Sequence, residues 1–304
     1  MRDRHARLAE IQALDPVVDH QRIVHLDACY EFPWDLTRSL ELALFRTYAV
    51  PSVSKLLART GEFTRRTQRR YDDTELLIRN FVDWGYDSDR GRRAIARMNA
   101  IHGRFRISND DYRYVLSTFV CEPIRWNARF GWRRMVEQER HALYYFWCEV
   151  GRRMGIEDIP ATYDAMFSFS EDYEREHFRF HEDNRAVGSA TRDLFVSWFP
   201  KPLAPLTRRA VYSIMDEPVL DAFGFPHPTS FERALVERTL RARAVVLNRV
   251  WPRRQEPQVQ SDAPHASYAT LPPIEELGPR GPRSEEIRPS TAPGEDASQG
   301  QASF

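Results

Sequence analysis

The sequence predicts an all-α fold, and three observations carry that prediction. Apolar residues recur at helical spacing, as in Leu76, Leu77, Phe81 and Val82. Residues that open helices (Ser, Thr, Asp, Pro) precede these runs, and glycine follows several of them. No period-two run and no Asn-Gly hairpin signal occurs. The expectation is a single multi-helix globular domain over residues 1–251, followed by a disordered tail over 252–304.

Taken in order, Leu8, Ile11 and Leu14 mark a short amphipathic segment. Asp35 reads as the cap of a helix carrying Leu40, Leu42, Leu44 and Phe45. Pro51 opens a second helix that Gly61 stops. The spacing then predicts a helix over 67–84, ended by Gly85, and another over 90–102, capped by Ser88 or Asp89. Ser108-Asn109-Asp110-Asp111 opens the next, with acidic groups in its first turn, where they complement the helix dipole. Glu122-Pro123 reads as a fresh start, because proline is tolerated at a first helical position. Helices follow over 134–154, from Thr162 to about 182, and over 190–198, 205–215 and 229–251.

Beyond Trp251 the composition changes: nine of the twenty prolines lie in 252–304, with much Ser, Gly and Glu. Such a stretch buries too little apolar surface to offset its ordering entropy, which predicts disorder.

The 44 basic and 44 acidic residues cancel, so no charge argument favours a nucleic-acid partner. Cys29, Cys121 and Cys148 are too few and too far apart for a disulfide framework or a paired-cysteine metal site, and read as buried thiols of a reducing compartment. No signal-like core and no run of about eighteen apolar residues is present, so the expected location is the cytoplasm, without a transmembrane segment. Leu194-Phe195-Val196 through Trp198-Phe199-Pro200-Lys201 is a candidate for peripheral membrane contact.

Three groups of residues could carry chemistry. Arg70 and Thr74 are four apart and share a helix face. His102 follows Ile95 and Met98 at helical spacing, which turns its imidazole inward. One inward histidine suffices to hold a haem iron. An imidazole merely hydrogen-bonded within the core has the same spacing and is commoner. Glu174-x-x-His177 with His181 resembles half of a di-iron motif, which makes a non-haem metal-dependent helical enzyme an alternative. The acidic and arginine residues around it predict a solvated face instead. Serine-hydrolase, phosphate-loop and dinucleotide-binding motifs are absent. Trp126, Trp132, Tyr144, Tyr145, Phe146 and Trp147 supply aromatic walls suited to a flat apolar ligand, or an ordinary core.

A longer set of blocks adds to these readings. Phe45-Arg46-Thr47-Tyr48-Ala49-Val50-Pro51-Ser52, Gly61-Glu62-Phe63 and Arg69-Arg70-Tyr71-Asp72-Asp73-Thr74 come first. Asn99-Ala100-Ile101-His102, Ile107-Ser108-Asn109-Asp110-Asp111 and Glu122-Pro123-Ile124-Arg125-Trp126 follow, with Trp132, Glu137, Trp147 and Gly151. Over roughly residues 25–250 the chain resembles the haem-dependent oxygenases that include the rubber-cleaving latex clearing protein. It is more similar still to the branch acting in fungal mycophenolic acid biosynthesis, which cleaves a prenyl side chain.

The resemblance implies a haem b pocket, with dioxygen and an apolar, isoprenoid or prenylated small molecule as substrates and oxidative C=C cleavage as the reaction. His102 falls on the axial histidine and metal ligand, and Arg70 and Thr74 on the R-x-x-x-T pair that positions haem or oxygen. Where the rubber oxygenases carry a lysine just before that threonine, this chain has Asp73. Asp73 or Tyr71 is then the expected proton or hydrogen-bond donor on the oxygen side. The catalytic glutamate of those enzymes has no clear counterpart, since Ser54 stands near its position and Glu62 lies elsewhere. The membrane anchor of the fungal relatives is not expected here. A haem-binding protein without oxygenase activity remains the nearest alternative.

Overall fold

A computed structural model describes residues 5–250 and 255–279. Among these residues there are fourteen α-helices, and the only β feature is an isolated bridge between His265 and Tyr268. The chain runs through α1 (Ala6–Gln12), α2 (His20–Leu26), α3 (Pro33–Tyr48), α4 (Pro51–Thr60) and α5 (Glu62–Arg65). It continues through α6 (Thr67–Trp84), α7 (Asp89–His102), α8 (Asn109–Phe130), α9 (Glu137–Arg153) and α10 (Tyr163–His177). The last four are α11 (Glu182–Ser197), α12 (Ala204–Ile214), α13 (Glu217–Phe223) and α14 (Ser230–Arg249). The all-α expectation holds, and no described helix is long and apolar enough to cross a membrane.

Local chemistry sets most of the boundaries. The backbone N–H of Gly91 donates to Ser88 Oγ (2.9 Å), that of Asp111 to Ser108 Oγ (3.0 Å) and that of Ala165 to Thr162 Oγ1 (3.1 Å). Each bond satisfies a first-turn donor that would otherwise lack a partner. Gly61 ends α4 at φ +66°, a left-handed conformation that costs a β-carbon-bearing residue.

Four expectations are corrected. Asp35 is not a cap: α3 begins two residues earlier, and Asp35 is buried, accepting from Trp126 Nε1 (3.1 Å) and paired with Arg243 (2.9 Å). Pro123 does not restart the chain, because α8 runs through it. A helix-interior proline costs about 3 kcal/mol, and here the burial of Trp126 and Phe130 one and two turns later offsets that cost. The helix opened by Thr162 stops at His177, and His181 caps α11, its Nδ1 accepting from the Asp183 N–H (3.1 Å). Residues 255–279, expected to be disordered, follow a defined path over α6 and α7, with Ser261 and Leu277 both 1 % exposed. Side-chain carboxylates and guanidinium groups on the two helices bind this segment's backbone, a contribution that composition does not record. The rest of the expected tail, 280–304, lies outside the described residues, as do 1–4 and 251–254.

Two large apolar clusters form most of the interior, with a small third one at Val50, Tyr114 and Tyr173. One gathers Phe81, Val82, Ile95, Leu116, Phe146 and Trp147, joining α6–α9. The other gathers Phe45, Trp126, Phe130, Phe195, Val219 and Phe223, joining α3, α8, α11 and α13. Helices α3, α4, α6, α7 and α8, with Trp147 of α9, line a cavity of about 400 Å³.

Candidate active site

Helix α6 supplies two adjacent polar side chains. Arg70 donates through Nη1 to Thr74 Oγ1, and the Thr74 hydroxyl in turn donates to the Arg70 carbonyl (2.8 Å). The guanidinium also lies over the Phe63 ring, 5.3 Å from its centre, so its position is fixed from two sides. Both residues line a cavity of about 400 Å³. His102, the last residue of α7, lines the same cavity. The three residues singled out from 70–102 therefore meet at one site.

The imidazole environment is unusual. Burial first, and then the positive charge of Arg70, push its pKa down from 6.5 to about 4. The ring is therefore neutral near pH 7, the state in which a histidine nitrogen ligates a metal. Its Nδ1 is buried without a hydrogen-bond partner among the described residues. Leaving such an atom unpaired costs about 1–3 kcal/mol, which suits a ring whose environment a ligand completes. The ring edge meets Tyr112, with centres 5.7 Å apart. Leu44, Leu57, Leu77, Val115, Phe119 and Trp147 form much of the apolar wall. One neutral imidazole and a cationic arginine in the same largely apolar cavity suit a haem. Its iron needs a single protein nitrogen, and its carboxylates suit a guanidinium.

Other polar groups on the wall went unrecognised as cavity residues in the sequence: Tyr48, Glu62, Arg106 and Asp111. Burial raises the Tyr48 phenol pKa far above its ordinary value, and Arg70 opposes that rise. Asp111 accepts from Ser52 Oγ (2.7 Å) and Tyr173 Oη (2.8 Å). Glu62 pairs with Arg66. The only sequence signal for Glu62 and Asp111 was their place in the quoted blocks.

Asp73 and Tyr71 do not line this cavity. Asp73 is buried on another face of α6, where its Oδ1 accepts from the Tyr268 hydroxyl. Tyr71 donates to Glu41 Oε1 (2.7 Å) beside a separate, water-sized space of about 30 Å³. The expectation that either supplies a proton inside the cavity is corrected accordingly. Successive helical residues are about 100° apart, so the neighbours of Arg70 and Thr74 need not share their face. Ser54 is also elsewhere, buried against Asn184.

The second candidate cluster comes apart. Glu174 is buried rather than solvated, receiving Arg46 Nε (2.8 Å) and Nη2 (2.6 Å) and the Tyr114 hydroxyl (3.2 Å). His177 stacks on Tyr173 at 3.9 Å, and His181 is occupied as the α11 cap. Among the described residues no three His, Cys, Asp or Glu side chains are arranged to hold a bare metal ion. A haem needs no such cluster, because its iron arrives with four nitrogen ligands of its own.

Residues 39–246 match the family model described as ER-bound oxygenase mpaB/B'/rubber oxygenase, catalytic domain. The chain belongs to this oxygenase family. The matched span includes Arg70, Thr74 and His102 and ends before residues 255–279. Among similar proteins, the ER-bound oxygenase mpaB' of Penicillium brevicompactum is 28% identical over 242 residues, 74% of this chain and 57% of that protein. The ER-bound oxygenase mpaB of Penicillium roqueforti (strain FM164) is 29% identical over 205 residues, 62% of this chain and 69% of the relative. The mpaB of Penicillium brevicompactum is 30% identical over 185 residues, 55% and 47% of the two chains. The chain thus spans a little over half the length of the first of these relatives.

Proposed function

We propose that the chain is a haem b oxygenase that uses dioxygen to cleave a C=C bond of an apolar, isoprenoid or prenylated, substrate. The observation that carries this reading is the convergence of His102, Arg70 and Thr74 on one largely apolar cavity within the family-matched span. His102 would hold the iron and the apolar walls would exclude water. Arg70 would pair with a haem carboxylate or orient a polar group, with Thr74 holding the guanidinium in place. When bound, haem supplies the centre at which dioxygen is activated. The reaction balances without an electron donor: one alkene and one O₂ give two carbonyl fragments, both oxygen atoms being incorporated. A peripheral membrane site facing the cytoplasm is the location this reading favours. Trp198, Phe199, Leu203 and Leu206 are exposed beside Lys201, and the relatives are named ER-bound.

The ultraviolet–visible spectrum of the purified protein tests the cofactor. A Soret band is expected in wild type and is lost or shifted in His102→Ala; no band in wild type refutes the haem assignment. Oxygen uptake with prenylated substrates then separates an oxygenase from a haem carrier. Uptake reduced at least tenfold in Arg70→Ala is expected, and haem binding without uptake across such substrates supports the carrier.

A further inference from the structure

The segment 255–279 lies beyond the family-matched span, yet it reaches the same cavity. It runs first along the back of α6. The Ser261 N–H donates to Asp83 Oδ2 (2.8 Å) and the Ser267 N–H to Asp72 Oδ2 (2.8 Å). Tyr268 then donates to Asp73. Asp72 and Asp83 are eleven residues apart, three helical turns, so they share a face and lie roughly 16 Å apart along the axis. Between these two anchors the chain makes a 3-10 turn at Gln260–Asp262 and a second turn at His265–Tyr268, closed by the Tyr268 N–H donating to the His265 carbonyl (3.1 Å). It then turns along α7. Glu275 pairs with Arg93 through two bonds (2.7 and 2.9 Å), Arg97 Nε donates to the Leu277 carbonyl (2.7 Å), and Arg104 Nη1 donates to the Pro279 carbonyl (3.0 Å).

By Gly278 and Pro279 the segment has reached the C-terminal end of α7, beside His102. Gly278 and Pro279 are part of the cavity wall. Gly278 has φ +86°, and a β-carbon there would come within 2.4 Å of Ile101 Cδ1, so glycine is the residue that lets the segment close against the helix beside the histidine. Ordering one residue costs about 1–2 kcal/mol, and the segment lacks a continuous helix or sheet to repay it. The carboxylates of α6 and the arginines of α7 fix it instead, and they fix its Gly278-Pro279 stretch in the cavity wall.

We infer that residues 255–279 form a latched strap whose Gly278-Pro279 end closes the His102 side of the cavity and sets how fast a ligand enters and leaves. This rests on the reading of that cavity as the ligand site, but not on the ligand being haem. Asp72 and Asp73 act as latch points, which gives the carboxylate expected on the oxygen side a different role.

The test uses the full chain with Tyr268→Phe/Glu275→Gln, a double variant that removes two latches without touching the cavity wall, and with Gly278→Leu, which forces the strap off Ile101. Haem release is followed by transfer to excess apomyoglobin. In parallel, release of 8-anilinonaphthalene-1-sulfonate from the haem-free protein is followed by stopped flow. Hydrogen exchange reports on 98–102 and 261–277. Release about tenfold faster in both variants, with faster exchange at 98–102 and an unchanged urea midpoint, is expected. Unchanged release while 261–277 exchange faster overturns the strap. If wild type takes up no haem, the preceding reading fails, and the dye arm alone decides this one by the same two outcomes.

Discussion

Glu41 carries a stability prediction whose size follows from its surroundings. Its carboxylate accepts from Tyr71 Oη (2.7 Å) and lies 2.7 Å from Arg38 Nη2, yet its pKa is pushed up from 4.5 to about 7. Burial is the largest cause, and Glu75 adds to it. Arg38, the Tyr71 hydrogen bond and Arg79 oppose it without cancelling it. A carboxyl whose folded pKa is raised adds stability that is complete below its unfolded value, near 4.5. That stability is lost as pH rises through about 7. At about 1.4 kcal/mol per pKa unit the loss is about 3.4 kcal/mol in all, of which roughly 2.5 kcal/mol falls between pH 5 and pH 8. Glu41→Gln keeps a hydrogen-bond acceptor for Tyr71 and removes the titration. Urea unfolding of both proteins at the two pH values should therefore show the variant gaining about 2.5 kcal/mol on wild type as pH rises. A difference that stays flat, or that moves the other way, would mean that Arg38 keeps Glu41 ionised throughout and that the burial argument is wrong.

Other perturbations follow from the same reasoning. Arg46 is held among Glu122, Glu174 and Asp216 (3.3, 2.6 and 2.7 Å), so Arg46→Ala strands buried carboxylates and should cost about 3–5 kcal/mol in urea unfolding; a loss under 1 kcal/mol would show that Arg125 takes over. Both carboxylate oxygens of Asp27 are buried beside Glu139 and, among the described residues, receive no hydrogen bond within ordinary geometry; burial, then Glu139, raise its pKa far above 3.8. Its contribution is thus lost as pH rises, and Asp27→Asn should melt at least about 2 °C higher near pH 8, with a smaller gain near pH 4. His102 has the opposite sign: its depressed pKa gives stability that is complete above 6.5 and is lost as pH falls through about 4. The haem-free His102→Gln protein should therefore lose less stability than wild type between pH 7 and pH 4, read by the same urea titration.

How much of this was legible in the sequence depended on the range of the interaction involved. Helix starts set by a single side chain, at Ser88, Ser108 and Thr162, were readable because the cap bonds an N–H three residues on. The break at His177 was not, since neither glycine nor proline marks it and the chain departs into extended backbone at Phe178. Helix α13 was missed because its seven residues are too short to show a period, although Asp216 caps it and Pro218 sits in its first turn. Glu174 looked solvated because its sequence neighbours are charged, whereas its partner Arg46 lies 128 positions away. The order of the segment at 255–279 was hidden for the same reason, since its partners are on α6 and α7.

Helix α6 explains why Arg70 and Thr74 were correctly paired while Asp73 was misplaced. Residues four apart return to within about 40° of one another, whereas Asp73 is about 60° from Arg70 and 100° from Thr74. One face of the helix thus meets the cavity through Arg70, Thr74 and Leu77, the opposite face holds the strap through Asp72 and Asp83, and Asp73 holds Tyr268 from the edge between them. A third meets Glu41 through Tyr71. A helix is a rigid element, so a shift that relieves one face displaces the other two. It follows that loosening the strap at Tyr268 should act on Arg70 through the helix as well as on His102 through the opened wall. Glu41→Gln, which leaves both the strap and the wall in place, should change the pH dependence of stability while leaving ligand release from the cavity unaltered. Faster release in Glu41→Gln would mean that the Tyr71 face, rather than the strap, controls the site.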